Sequence, residues 1–455
     1  MGLKVENNLG ADKISRLVFR IAIPSMLAQF VSVLYSIVDR MFVGNIPEIG
    51  SLSLAGVGVC GPIVTMISAF AFLIGMGGSP LMGIAMGSGN QRKAERILGN
   101  CFAMLAVISI AVTVAALALR EPMLRLFGAS DVTYAYAESY FTVYVSGTFF
   151  ALMSIGMGQF IYAQGYAKVG MTSVIIGAVM NIILDPIFIY GFHMGVRGAA
   201  LATILSQAVS ASFVLFFLIR YADVRITIGR YSLRLMSRIL QLGMTPFLII
   251  AFDNVMIIGM NAMLQKYGAG RGDELITINT IVQSFMLVLT MPLGGISGGT
   301  QCILSYNYGA GKLQRVMKAQ KYIIGYCMSY AALLMLLGWV AGPLFVSLFT
   351  ADPGLNQQAC QAIRICTLAI IPLGAQYEIV DGFTGMGRVK LSLPLSIWRK
   401  TVFFACIFLI PVAFGASHVF YAEPISDILA IAVSAPVYFW SKKKLAAQDR
   451  AIQST

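Results

Sequence analysis

Charge is what this 455-residue sequence has least of. Asp, Glu, Lys and Arg make up 11% of it, where a soluble chain of this length carries roughly a quarter. That shortage excludes a solvated globular surface. Histidine is reduced to 2 residues, His193 and His418, both in expected loops. The 7 cysteines are an odd number without a Cys-x-x-Cys pair. Nearly all of them fall in apolar segments, so buried free thiols are expected rather than disulfides or metal ligands. No Gly-x-x-x-x-Gly-Lys-Ser/Thr loop occurs, so ATP is not the direct energy source. Gly-x-Gly-Asp occurs only at Gly270–Asp273, in the connection between two expected spans rather than within an apolar run, which speaks against an intramembrane aspartyl protease despite the aspartates discussed below. An enzyme and an organic cofactor are therefore not expected. The apolar segment after the polar opening Met1–Lys13 lacks a small-residue cleavage site, so it is read as a retained first helix.

What remains is hydrophobic: 58% of residues, with mean hydropathy +0.81. Apolar runs long enough to span a bilayer, about 20 residues each, recur along the whole chain. Twelve are expected, at 16–42, 52–86, 98–120, 134–163, 170–190, 198–220, 238–264, 275–307, 321–348, 358–385, 391–412 and 418–440. The net charge of +13 does not indicate nucleic acid, because the basic residues sit in short connections. With both termini cytoplasmic, 25 of the 32 Lys and Arg fall on the inner side, as the positive-inside rule requires. The expectation is an all-α polytopic protein of the plasma (inner) membrane, with the lipid bilayer as its surroundings and a monomer as its working form.

The chain also repeats itself. Pro24 matches Pro246, Gly87-Ser-Gly89 matches Gly309-Ala-Gly311, Leu126-Phe127 matches Leu348-Phe349, and Gly165 and Lys168 match Gly387 and Lys390. Each pair is 222 residues apart. This predicts two parallel six-helix lobes, 1–220 and 238–440, joined by a basic cytoplasmic linker, 221–237, and followed by a cytoplasmic tail, 441–455. The linker is read as solvated and lying on anionic lipid heads. Duplicated bundles with a central cleft are how many secondary carriers achieve alternating access.

Within the apolar runs a few polar residues stand out. An ionisable group in a membrane helix is costly and marks function by default. Asn181 and Asp185 are four apart, hence on one helix face, and Pro186 frees the carbonyl of Ile182. Tyr35 and Asp39 are likewise four apart. Helices 1 and 5 both run outward with their acids towards the outer end, and helix 6 starts outside with Thr203 near its beginning. Asp39, Asn181, Asp185 and Thr203 thus converge as a candidate ion-coupling site, with Tyr35 and Tyr140 as supporting donors. Two carboxylates in a dry site resist ionising together, so the pair can take up a proton. The same hard oxygens can hold Na⁺. The alternative is that the acids form fixed hydrogen bonds ordering helices 1, 5 and 6. At offset 222 these positions become Asn261, Phe403, Ile407 and Ile425, so the site is expected in one lobe only.

The second lobe carries Asp253, Glu378 and Asp381, with Arg399 and Lys400. Internal ion pairs, such as Glu378 or Asp381 with Arg399, are the favoured reading. A site for a cationic substrate or a second coupling ion is the alternative.

Several motifs carry a family resemblance that covers nearly the whole chain. Met86–Arg96 and Tyr308–Lys318 resemble the loops after helices 2 and 8 of multidrug and toxic-compound extrusion (MATE) transporters. Phe160–Gly165 and Phe383–Gly387 are similar to the inner ends of that family's helices 4 and 10. Asn181-Ile-Ile-Leu-Asp185-Pro186 resembles its helix-5 motif in the bacterial DinF- and MepA-like branch. The resemblance implies twelve helices in two lobes and export of small organic compounds, amphipathic and often cationic, in exchange for H⁺ or Na⁺. It also places the family's cation site on Asp39, Asn181, Asp185 and Thr203. Related flippases of lipid-linked sugars are the runner-up; they commonly have fourteen helices and a more cationic cavity.

Overall fold

The computed structural model describes residues 7–453 except 48, 269 and 351. Ten helices in it are long and apolar enough to cross a membrane, and two bent helix pairs bring the number of spans to twelve. We label the spans α1 (Ile14–Gly44), α2 (Gly50–Gly87), α3 (Gln91–Ala118), α4 (Tyr134–Ser146 and Thr148–Ala163), α5 (Ala167–Pro186) and α6 (Val196–Arg220). The second half supplies α7 (Leu233–Tyr267), α8 (Gly272–Gly309), α9 (Leu313–Ser347), α10 (Pro353–Cys366 and Ile370–Gly385), α11 (Val389–Phe414) and α12 (Ala422–Gln453). The expected spans are all present. Most extend further than expected by a few residues; at α3 the side chain of Asn90 accepts from Lys93 N (3.0 Å) and caps a polar first turn that precedes the apolar stretch. The last helix continues without a break through Lys442–Lys444 to Gln453.

The repeat is visible in the backbone. Gly89 and Gly311 both adopt left-handed φ (74° and 71°), as do Gly165 and Gly387 (86° and 70°). A side chain would be strained at each of these sharp exits from a helix. The bends in α4 (57°) and α10 (48°) fall at Gly147 and at residues 367–369, which are also equivalent under the 222-residue offset. Gly147 also packs closely, since an added Cβ there would come within 2.5 Å of Ile204.

The halves meet at the end of the bundle that carries both termini. A Cβ on Gly87 would lie 1.9 Å from the Tyr306 carbonyl oxygen, and one on Gly309 would lie 2.1 Å from that of Ile84. Ile84 and Tyr306 are themselves repeat equivalents, so this is an isologous contact about a pseudo-twofold axis. Gly83 faces Ser305, its own equivalent, with 2.2 Å between the hypothetical Cβ and the hydroxyl. Glycine is required here because backbone touches backbone. The first turns of α1 (Leu17, Ile21) share a hydrophobic cluster with Ile296, Ile303 and Ile379 of the second half. Ile239 and Leu242 of α7 belong to the cluster of the first half.

The same end carries two straps. Asn7 Nδ2 donates to the Gly165 carbonyl (2.9 Å), while Asn307 Nδ2 and Lys312 Nζ donate to the carbonyls of Leu9 and Gly10 (2.9 Å each). The segment before α1 thus ties both halves together. The basic linker is docked rather than free. Arg96 Nε donates to the Arg230 carbonyl (2.9 Å), and Ser232 N donates to Asn100 Oδ1 (3.0 Å).

Candidate functional site

Asp39 sits towards the far end of α1, and Asn181 and Asp185 lie near the end of α5; these two helices pack along each other. The α5 residues are almost fully buried, Asn181 at 2% exposure and Asp185 at 0%. Asn181 Nδ2 donates to Asp185 Oδ1 (3.2 Å). The Asp39 and Asp185 carboxyls lie within hydrogen-bonding reach of one another. Two ionised carboxylates resist that approach, and a shared proton or a bound cation relieves it.

Three oxygens here are buried and receive no hydrogen bond: Asp39 Oδ1, Asn181 Oδ1 and Asp185 Oδ2. Buried acceptors are nearly always satisfied, so three unsatisfied ones in one place create a negative potential that a proton or a cation would relieve. Among the described residues no Lys, Arg or His is ion-paired to either acid. Arg40, next along the chain, is exposed and within charge range of Asp39 only. Donor chemistry also fits, since two carboxylates and an amide oxygen suit a hard cation or a proton.

The surroundings are phenolic. Tyr35, Tyr140 and Tyr144 lie within charge range of Asp39, and the rings of Tyr140 and Tyr144 stack at 5.9 Å. Tyr144 is in turn within hydrogen-bonding reach of Gln207 and Ser68. After Pro186 the chain widens into a π-helical turn, Ile187–Gly191, and such turns recur at functional sites. This turn lets Tyr190 donate to the Phe42 carbonyl (2.7 Å), pinning α5 to α1. Thr203 is held differently: its hydroxyl donates to the Ala199 carbonyl of its own helix (3.0 Å), so its proton is not aimed at the acids. Sequence reasoning missed Tyr144, Gln207 and Tyr190. The i,i+4 spacings Tyr140–Tyr144 and Thr203–Gln207 were the available signal.

In the second half the expected pairing is corrected. Arg399 binds neither Glu378 nor Asp381. Its Nε donates to Asp427 Oδ1 (2.8 Å), and its Nη2 lies 3.5 Å from Glu423 Oε2. Lys400 pairs with Asp253. The cause is direction. Arg399 faces the first turns of α12, whereas Asp381 accepts from Ser297 of α8 (2.5 Å). Glu378 is fully buried, with both carboxyl oxygens free of donors.

Comparison with known proteins now decides the family. The MatE family model matches residues 24–187 and again 250–414, most of both halves. The chain belongs to the MATE family. Among curated MATE relatives, the multidrug export protein MepA of Staphylococcus haemolyticus (strain JCSC1435) is 24% identical over 421 residues, 91% of each chain. MepA of Staphylococcus aureus (strain MRSA252) is 23% identical over 425 residues, 92% of each chain. Solved MATE structures share the fold. A MATE protein in complex with MaD3S superposes with TM-score 0.89 at 23% identity, covering 99% of this chain and 100% of the other. An outward-facing multidrug resistance MATE transporter gives 0.89 at 22% identity, with the same coverage. This MATE chain is thus a multi-pass membrane protein of the twelve-helix fold.

Proposed function

We propose that this MATE protein is a secondary antiporter that exports amphipathic, often cationic, organic compounds in exchange for H⁺ or Na⁺. The carrying observation is the trio of orphan buried oxygens on Asp39, Asn181 and Asp185, which calls for a small cation and has no repeat equivalent in the second half. The multidrug export proteins among its relatives support the substrate class. Asp39 and Asp185 hold the coupling ion, Asn181 orients Asp185, and Tyr35 and Tyr140 line the site; Thr203 contributes its hydroxyl oxygen after a small rotation. The protein needs no further cofactor and works as a monomer in the cytoplasmic membrane, both termini inside.

Helices 1–6 and 7–12 act as the two lobes. Their glycine contacts close the cytoplasmic side, where Gly83 and Gly87 meet Ser305 and Tyr306. We read this as the outward-open state. Cation binding between α1 and α5 changes how these helices pack. Because α1 also packs against the second half, that change is passed to the interface between lobes, as alternating access requires.

Inverted vesicles loaded with imposed pH or Na⁺ gradients and offered a fluorescent organic cation test this. Wild type is expected to accumulate the dye under one gradient, and Asp39→Asn and Asp185→Asn under neither. Normal accumulation by both variants would overturn the coupling assignment.

A further inference from the structure

The second half holds a charge network that ion coupling at Asp39 and Asp185 does not use. It contains two cations, Arg399 and Lys400 of α11, and three acids: Asp253 of α7, and Glu423 and Asp427 of α12. The first-half equivalents at offset 222 are Gly177, Ala178, Val31, Leu201 and Leu205, so the network is not part of the shared architecture. Its acids differ in access. The Asp427 side chain is fully buried and that of Glu423 is 14% exposed, but that of Asp253 is 46% exposed. Lys400, only 10% exposed, reaches Asp253 from inside the helix bundle.

The position of Asp253 points to the cleft. Along α7, Gly243 abuts the Leu73 carbonyl and Phe247 packs on Phe70 with centroids 5.2 Å apart. These contacts mark the face of α7 turned to the first half. Residue 253 lies about a quarter turn from the continuation of that face and beyond these contacts. A half-exposed carboxylate at membrane depth needs water, not lipid, beside it.

We propose that Lys400 is a built-in counter-cation on Asp253, and that an organic cation entering the cleft binds by displacing its ammonium group from that carboxylate. Charge balance supports the exchange. Arg399 contributes one positive charge against the two acids Asp427 and Glu423, which leaves one negative charge uncovered. Glu423 is already within charge range of Lys400, so the displaced ammonium has a partner. After the exchange every acid of the network faces a cation. A neutral compound cannot drive the displacement, so Lys400 sets a threshold that favours substrates with an accessible positive charge. This inference rests on the export function proposed above and names the group that recognises the cation.

The test is equilibrium binding of tetraphenylphosphonium to the purified full-length protein in lipid nanodiscs. Lys400→Met removes the competitor and should tighten binding about two- to fivefold, the weight of a partly exposed ion pair. Lys400→Gln carries the same expectation should Lys400→Met not fold. Lys400→Arg keeps a tethered cation and should stay near wild type. Asp253→Asn should weaken binding, and adding Lys400→Met to it should then change nothing. Unchanged or weaker binding in both neutral Lys400 variants would overturn the proposal. So would tightening that persists in the Asp253→Asn background. If the wild type neither binds nor moves any organic cation, the export function itself falls, a result distinct from the other two.

Discussion

The acids on α1 and α5 and the acids on α7 and α12 solve the same membrane problem in opposite ways. Asp39 and Asp185 face each other without a basic partner, leaving oxygens that no donor reaches. Asp253, Glu423 and Asp427 are met by Arg399 and Lys400 of α11. A site for a bare proton or Na⁺ gains from having no fixed cation beside it, because a tethered ammonium or guanidinium group would compete for the same oxygens. A network that ties helices together gains from having one, and an organic cation can still compete for its exposed carboxylate. The difference separates an unpaired acid cluster from an ion-paired network that keeps one exposed carboxylate.

Four variants break or sharpen the contrast, from the largest expected effect down. Asp185→Asn should abolish gradient-driven uptake while stabilising the protein by about 1–3 kcal/mol, since it removes an acid whose buried oxygen has no donor; thermal unfolding beside a transport assay separates the two effects. Arg399→Gln should behave in the reverse sense. It strands Asp427 and Glu423 and should cost about 3–5 kcal/mol, with Asp427→Asn added on top recovering part of the loss in the same unfolding assay. Gly87→Ala forces a methyl group against the Tyr306 carbonyl and should cost the closed interface about 1–3 kcal/mol. Labelling of single cysteines placed beside Gly83 should then rise, and Gly309→Ala should match it because the contact is isologous. Tyr144→Phe loses one hydrogen-bonding group near Gln207 and should lower stability by about 1 kcal/mol, with transport retained.

Much of this architecture is legible in the amino-acid sequence. Apolar length alone locates the spans, because a bilayer leaves a helix little choice. The Asn181–Asp185 spacing and the shared direction of helices 1 and 5 bring the two acids to the same depth, and the packing of α1 along α5 brings them together. Other features depend on rotation, which sequence does not carry. The partners of Arg399 are set by how α11 turns towards α12, and Glu423 and Asp427 sit inconspicuously near the expected start of that helix. Depth places Thr203 but does not say which way a hydroxyl points, and the Ala199 carbonyl claims it. The docking of the basic linker is hidden too, since a run of arginines looks the same whether it lies on lipid or against α3.

The central claim is that a cation belongs between Asp39 and Asp185 and nowhere equivalent in the second half. Direct binding tests it best: ²²Na⁺ retention and proton uptake by the purified protein, followed against pH. Protons and Na⁺ compete for the same oxygens, so any Na⁺ retention should rise with pH. The expected result is one cation site per chain, lost in Asp39→Asn and in Asp185→Asn and kept in Glu378→Gln. A site that survives both aspartate changes and disappears with Glu378→Gln would contradict the account.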